Sequence, residues 1–210
     1  MTPELEKYAD EHTTPEYPVL TKLSRETHLS QVYPRMLSGH LQGTLLRMIS
    51  AMVKPLRILE IGTFTGYSAI CLAGGMPENG ILHTIEVDPE LEEIITRYVD
   101  EAGLTGKVIL HFGQAADIIP LLDETWDLVF IDADKPNYLN YYNRIFDRVR
   151  KGGIILADNV LWDGKVLNPE TRSRDTKGII EFNEFVKQDE RVENLLLPVR
   201  DGLMVIRKIA

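Results

Sequence analysis

The residues able to do chemistry gather in three short stretches. Ile131-Asp132-Ala133-Asp134-Lys135 closes one apolar run, Ala157-Asp158-Asn159 closes another, and Glu60-Ile61-Gly62-Thr63-Phe64-Thr65-Gly66 closes a third. Asp132, Asp158 and Asn159 offer two carboxylates and an amide oxygen. These are hard ligands that suit Mg²⁺, Mn²⁺ or Ca²⁺ better than zinc. Three protein ligands leave coordination positions open for water and for two substrate oxygens. Aspartates often cap turns instead, but two strand-end acids with Asn159 and Lys135 beside them favour a cation. A free lysine, with a pKa near about 10.4, is a poor base at neutral pH. Next to a divalent cation the Lys135 ammonium is disfavoured, and the amine can then take an acceptor's hydroxyl proton. The five histidines, His12, His28, His40, His83 and His111, show no metal-ligand spacing, and only His40 is near the expected site in sequence.

The glycine turn points to a different ligand. Gly62 and Gly66 open a helix after the first strand, with Phe64 where a dinucleotide motif requires its second glycine. Close approach of a pyrophosphate is therefore poorly served. Glu60, just ahead of the turn, would repel a phosphate and attract an ammonium. S-adenosylmethionine carries that ammonium and no phosphate. Glu86 ends the second strand a little over twenty residues beyond the turn, where an acid accepts both ribose hydroxyls. Asp88 is close by, but Asp88-Pro89 reads as a cap and first helical position. Ala115, after Gly113-Gln114, leaves room for an adenine ring.

Elements that bring these stretches together are visible as apolar runs at 57–62, 81–87, 107–113, 126–132 and 153–158, each leading toward an amphipathic pattern. Such alternation builds a mostly parallel sheet covered on both faces. Val192 to Val199, then Arg200-Asp201-Gly202, then Leu203 to Ile209 reads as two strands joined by a short turn. The expected fold is α/β: a Rossmann-like, seven-stranded, mostly parallel sheet with a C-terminal antiparallel hairpin and helices on both faces. If the fourth and fifth strands are neighbours, Asp132 and Asp158 meet at one edge, about 4.8 Å apart in strand spacing. Upstream, Ser38 is placed to cap a helix that Pro55 ends.

The 210 residues suit one domain, 1–210, with residues 1–35 as a helical extension that shapes an acceptor pocket or a dimer interface. Hydrophobic residues at 44% and charged residues at 26% fit an ordinary globular chain. The single cysteine, Cys71, allows no internal disulfide. With no basic-then-apolar leader and no membrane-length apolar run, the expected location is the cytoplasm and no membrane partner is expected. A net charge of −9 argues against a nucleic-acid backbone binder. A local basic patch around Arg172, Arg174 and Lys177 is the exception. Val32, Tyr33 and Leu37 form an apolar cluster suited to a homodimer.

Three segments, EIGTFTGYS (60–68), VFIDADKPNYLNYY (129–142) and LADNVLWDGKV (156–166), resemble the cation-dependent class I O-methyltransferases. That group includes plant caffeoyl-CoA O-methyltransferase, animal catechol O-methyltransferase and small bacterial relatives. The resemblance runs from about residue 30 to the end. It implies that Asp132, Asp158 and Asn159 hold the metal and that Lys135 is the base. It also implies that Glu60, Gly62, Thr63, Ser68, Glu86, Ala115, Asp132 and Asp134 line the cofactor. Met36-Leu37-Ser38-Gly39 resembles the family's loop over the cofactor, so Met36 and Ser38 are expected to touch it. Trp162 matches a tryptophan that packs on the aromatic acceptor, and Asp163 beside it could face that acceptor. Where the animal enzyme has a gating glutamate near the last hairpin, this chain has Leu195-Leu196-Leu197.

The activity implied is metal-dependent methyl transfer from S-adenosylmethionine to an oxygen of a small aromatic vicinal diol. The alternative acceptor is a hydroxylated tRNA base such as 5-hydroxyuridine, whose adjacent oxygens the same metal could engage. A nicotinamide dehydrogenase is disfavoured by the missing glycine and the closing hairpin. A non-catalytic binding module is disfavoured by the full set of metal and base residues.

Overall fold

In the computed structural model, which describes residues 3–168, 170 and 173–210, seven strands form one sheet. They are β1 (Arg57–Ile61), β2 (Ile81–Glu86), β3 (Val108–Phe112), β4 (Trp126–Ile131), β5 (Val149–Asp158), β6 (Val192–Leu197) and β7 (Leu203–Lys208). Their order across the sheet is β3–β2–β1–β4–β5–β7–β6. The first five are parallel, and β7 inserts antiparallel between β5 and β6. The chain leaves β1 outward to β3, then crosses back to β4. The order thus reverses between β1 and β4, the place where open parallel sheets bind ligands at their carboxyl ends.

The central strands are apolar along their length because both faces are covered. Ile58, Leu128, Phe130 and Leu156 pack on one side against α2 (Pro18–Ser30), α3 (Gly39–Val53), α4 (Tyr67–Ala73) and α5 (Glu92–Glu101). Leu59, Ile61, Val129, Ile131 and Ile155 face the other side, against a short α6 (Ala115–Ile118), α7 (Tyr138–Phe146) and α8 (Arg174–Gln188). A separate helix, α1 (Pro3–Glu11), precedes these. Among the described residues no helix is long and apolar enough to cross a membrane.

Several expectations shift. β5 begins at Val149 rather than 153: Val149 pairs with Trp126, and the register slips before Leu128 pairs with Ile154. Gly152, at φ +78°, lies within the irregular stretch between those pairs. The final turn spans 198–202, because Pro198 has no N–H to extend the ladder and Arg200 and Gly202 adopt left-handed backbone. Ser38 precedes α3, but its hydroxyl makes no capping bond. Pro55 does follow the end of that helix, through a left-handed Lys54. Leu37 is buried in the chain's own core, so of the apolar cluster assigned to a dimer only Val32 and Tyr33 remain exposed. Arg172, from the suggested basic patch, lies outside the described residues.

Candidate functional site

A cavity of about 1200 Å³ opens at the carboxyl edge of β1, β2, β4 and β5. Its floor is the glycine turn. Gly62 sits at φ +97°, and a Cβ there would collide with the Asp132 carbonyl oxygen. Only glycine lets β1's exit pass this close to β4's exit. The crossing is tied by Gly62 N–H to the Ile85 carbonyl at 3.0 Å and by Asp132 N–H to the Ile61 carbonyl at 2.9 Å. Phe64, the residue in place of the second glycine, is itself left-handed at φ +50°. Its N–H donates to Glu86 Oε2 at 2.7 Å, and the amides of Val87 and Asp88 donate to Glu86 Oε1 at 2.8 and 3.0 Å. Three backbone donors therefore fix the Glu86 carboxylate at the cavity wall. Asp88 instead accepts from Glu90 N–H at 2.9 Å and caps the turn that leads into α5.

Glu60 lies beneath this floor, fully buried. Thr84 donates to its Oε2 at 2.6 Å, while Oε1 has no hydrogen-bond partner among the described residues. Burial pushes its pKa up to about 8; the Ser68 and Thr84 hydroxyls pull it down, and the nearby charges of Asp132 and Glu86 raise it further. An unsatisfied carboxyl under a cavity wants a cationic donor. Thr63, Ser68 and Ala115 line the same wall, all nearly buried. Met36, in the 3₁₀ turn Pro34–Met36, and Ser38 form the opposite rim. Asp134 also faces the cavity, with its carboxylate held by the Tyr141 and Asn137 side chains.

At the other end, Ile131 pairs with Ala157, so the next residues, Asp132 and Asp158, leave adjacent strands in step. The Lys135 ammonium bonds Asp132 Oδ1 at 3.0 Å, Asn159 Oδ1 at 2.8 Å and the Tyr138 hydroxyl at 2.6 Å. One cation thus already sits between two of the three proposed ligands. Burial, and then the charge of Asp132, push Asp158 up to about 7, with Lys135 acting in the opposite direction. Asn159 takes φ +57°, a left-handed conformation asparagine tolerates. Among the described residues no three His, Cys, Asp or Glu side chains gather as a metal cluster. A cation here would rest on two carboxylates and the Asn159 amide oxygen. The donor set is all-oxygen, with a surplus of negative charge, and it fits a hard divalent ion.

Trp162 lines the cavity mouth, its ring 5.7 Å from the Lys135 ammonium. Asp163 does not line it. The left-handed backbone at Trp162 and Asp163 carries that side chain outward, where it pairs with Lys165 at 3.7 Å. His40 is also elsewhere, between Asp10 and Thr14. Three functional neighbours escaped sequence reasoning. Tyr138 is fully buried, accepts from Lys135 and donates to the Asp158 carbonyl at 3.0 Å. Gln42 donates to Asp158 Oδ2 at 2.6 Å, and Arg200 donates to Gln42. The available signal for Gln42 was a large polar residue on α3's buried stripe, four positions before Leu46.

The model of the O-methyltransferase family matches residues 10–209. The chain belongs to the O-methyltransferase family. It is 33% identical to caffeoyl-CoA O-methyltransferase 1 of Arabidopsis thaliana over 93% of this chain and 80% of that protein. It is 38% identical to a catechol O-methyltransferase of Niastella koreensis over 74% of this chain and 72% of that one. The O-methyltransferase TomG of Streptomyces achromogenes, solved in complex with SAM, superposes with a TM-score of 0.92. It is 30% identical, covering 99% of this chain and 96% of that chain. As an O-methyltransferase, the chain is an enzyme rather than a dehydrogenase or a passive binding module.

Proposed function

We propose that this O-methyltransferase moves the methyl group of S-adenosylmethionine to an oxygen of a small aromatic vicinal diol, with a divalent cation at Asp132, Asp158 and Asn159. The observation that carries the reading is the convergence of Asp132 Oδ1 and Asn159 Oδ1 on a single cation, the Lys135 ammonium, beside the Glu60–Gly62 turn. S-adenosylmethionine, when bound, supplies an electrophilic methyl on a sulfonium, with the neutral thioether as the leaving group. A hard cation would supply Lewis acidity to the acceptor's hydroxyl.

The chain's own residues bind, orient and move the proton. Glu60, buried beneath the turn, would meet the ammonium of the methionine moiety from under the cavity floor through its unpartnered Oε1. Glu86, fixed by three amides, accepts from the ribose hydroxyls, and Gly62, Thr63, Ser68, Ala115, Asp134, Met36 and Ser38 shape the remaining wall. With a divalent cation in place at Asp132 and Asn159, Lys135 Nζ would be released from them and placed to take the acceptor's hydroxyl proton. Alignment of donor and acceptor is the main source of rate. Trp162 offers an aromatic face at the mouth, and Val32, Tyr33 and Arg35 line the cavity beside the cofactor wall.

A small phenolic acceptor is supported by relatives named for caffeoyl-CoA and catechol and by the net charge of −9. A tRNA base finds no such support. The test is labelled methyl transfer to catechol, caffeate and bulk tRNA, with and without chelator. Catechol-type turnover should vanish with chelator, and Asp158→Ala should abolish it while retaining S-adenosylmethionine binding by calorimetry. Undiminished turnover in excess chelator would contradict the scheme.

A further inference from the structure

Gln42 is 2% exposed on α3, deep in the fold, and it makes two side-chain bonds of opposite sense. Its Nε2 donates to Asp158 Oδ2 at 2.6 Å, and its Oε1 accepts from Arg200 Nη1 at 3.2 Å. A primary amide has a donor end and an acceptor end of nearly the same shape. A guanidinium can only donate, so Arg200 holds Oε1 toward itself. The NH₂ end must then face Asp158, which as a carboxylate can only accept. Arg200 is held in place in turn: it sits in the turn between β6 and β7 at φ +49°, and its Nη1 also donates to the Leu37 carbonyl at 3.1 Å.

Resting on the metal reading above, we propose that Gln42 is a positioning residue that sets the orientation of Asp158 for cation binding. The other oxygen of Asp158 is fixed separately, by Asn159 N–H at 2.8 Å to Oδ1. Between them the two donors immobilise both oxygens. Gln42 does this without charge. A lysine or arginine in its place would form an ion pair with Asp158 and compete with any incoming cation. An apolar residue would leave Oδ2 without a partner in a buried site. The interposed amide also keeps the positive charge of Arg200 one residue removed from Asp158, while transmitting its directional hold. Partners that orient a metal ligand in this way typically account for about 10–100-fold in metal affinity.

The experiment compares wild type, Gln42→Leu, Gln42→Met and Asp158→Ala for Mn²⁺ binding, followed by the electron paramagnetic resonance of free Mn²⁺ with the metal alone. S-adenosylmethionine affinity is measured by calorimetry on the same samples, and urea unfolding establishes that each variant is folded. Both Gln42 variants should weaken Mn²⁺ by about tenfold or more and leave S-adenosylmethionine affinity unchanged. Turnover should recover as Mn²⁺ is raised, so that the apparent KM for metal rises while kcat at saturation is kept. Mn²⁺ affinity equal to wild type in both Gln42 variants, with Asp158→Ala losing the metal, overturns the positioning role and leaves the metal reading standing. Wild-type Mn²⁺ binding in Asp158→Ala as well overturns both. Parallel loss of Mn²⁺ and S-adenosylmethionine affinity in folded Gln42 variants also overturns it, since that is what general loosening of α3 would produce.

Discussion

Glu60 is the residue whose burial is least comfortable without a ligand. Its carboxyl is raised from the ordinary 4.5 to about 8, first by desolvation. A folded-state pKa above the unfolded one means folding takes up a proton between those values. The ligand-free protein is therefore favoured below pH 4.5 and loses that contribution as pH rises toward 8. Glu60→Gln, a neutral isostere, should make the ligand-free protein more stable than wild type near pH 8, with the difference shrinking toward pH 4.5. The same substitution should weaken S-adenosylmethionine. Urea titrations across pH check the first statement, and a pH-independent difference would sink it. Tyr138 is the other telling side chain, linking the Lys135 ammonium to the Asp158 carbonyl. Tyr138→Phe keeps the ring but takes one partner from the Lys135 ammonium, which retains Asp132 and Asn159, and one from the Asp158 carbonyl. Each lost partner should cost folding about 1–3 kcal/mol, read by urea unfolding, and kcat/KM should fall because Lys135 is less firmly held. Steady-state kinetics on catechol provides the check.

At the scale of elements, an imidazole ties α1 to α3. His40 Nδ1 meets Asp10 Oδ1 at 2.7 Å and His40 Nε2 meets the Thr14 carbonyl at 2.7 Å. Both partners accept, so both ring nitrogens must carry protons and the ring is held as imidazolium. Burial opposes that charge, but the Thr14 carbonyl and Asp10 carboxylate, with Glu16 nearby, outweigh it and raise the pKa. The attachment is fully present below the unfolded value of about 6.5 and is lost as pH rises through the raised folded value. Amide exchange in α1, corrected for intrinsic rates, should speed up above the His40 pKa relative to the rest of the chain. His40→Phe should show fast exchange at every pH. Protection of α1 that ignores pH in the wild type would refute the clamp.

For the molecule as a whole, the cavity draws its walls from both halves of the core and from the link between α2 and α3. A ligand that fills it therefore adds contacts to parts of the fold already tied there by the Gln42–Asp158 and Arg200–Leu37 bonds. S-adenosylmethionine at about 100 times its Kd should add about 2.7 kcal/mol, or roughly 5–10 °C in Tm for a chain of this size. The shift should appear as one cooperative transition in calorimetry. NAD should give none, because the turn has Phe64 where a pyrophosphate needs glycine.

Much of this was written locally. Apolar runs ending in acids marked the strands and their functional ends, because strand burial and strand termination are encoded by neighbouring residues. The glycine at position 62 announced a close approach, though not that the approach is to the Asp132 carbonyl. Contacts between distant segments needed the folded chain: the adjacency of β4 and β5 that puts Asp132 beside Asp158, the depth at which Glu60 lies, and the burial of Leu37. Asp163 was adjacent to Trp162 in sequence, yet two left-handed residues turn it away from the cavity. Gln42 and Arg200 sit 116 and 42 positions from Asp158. Their partnership depends on helix packing and on a turn at the far edge of the sheet, and no periodicity in a single sequence carries that information.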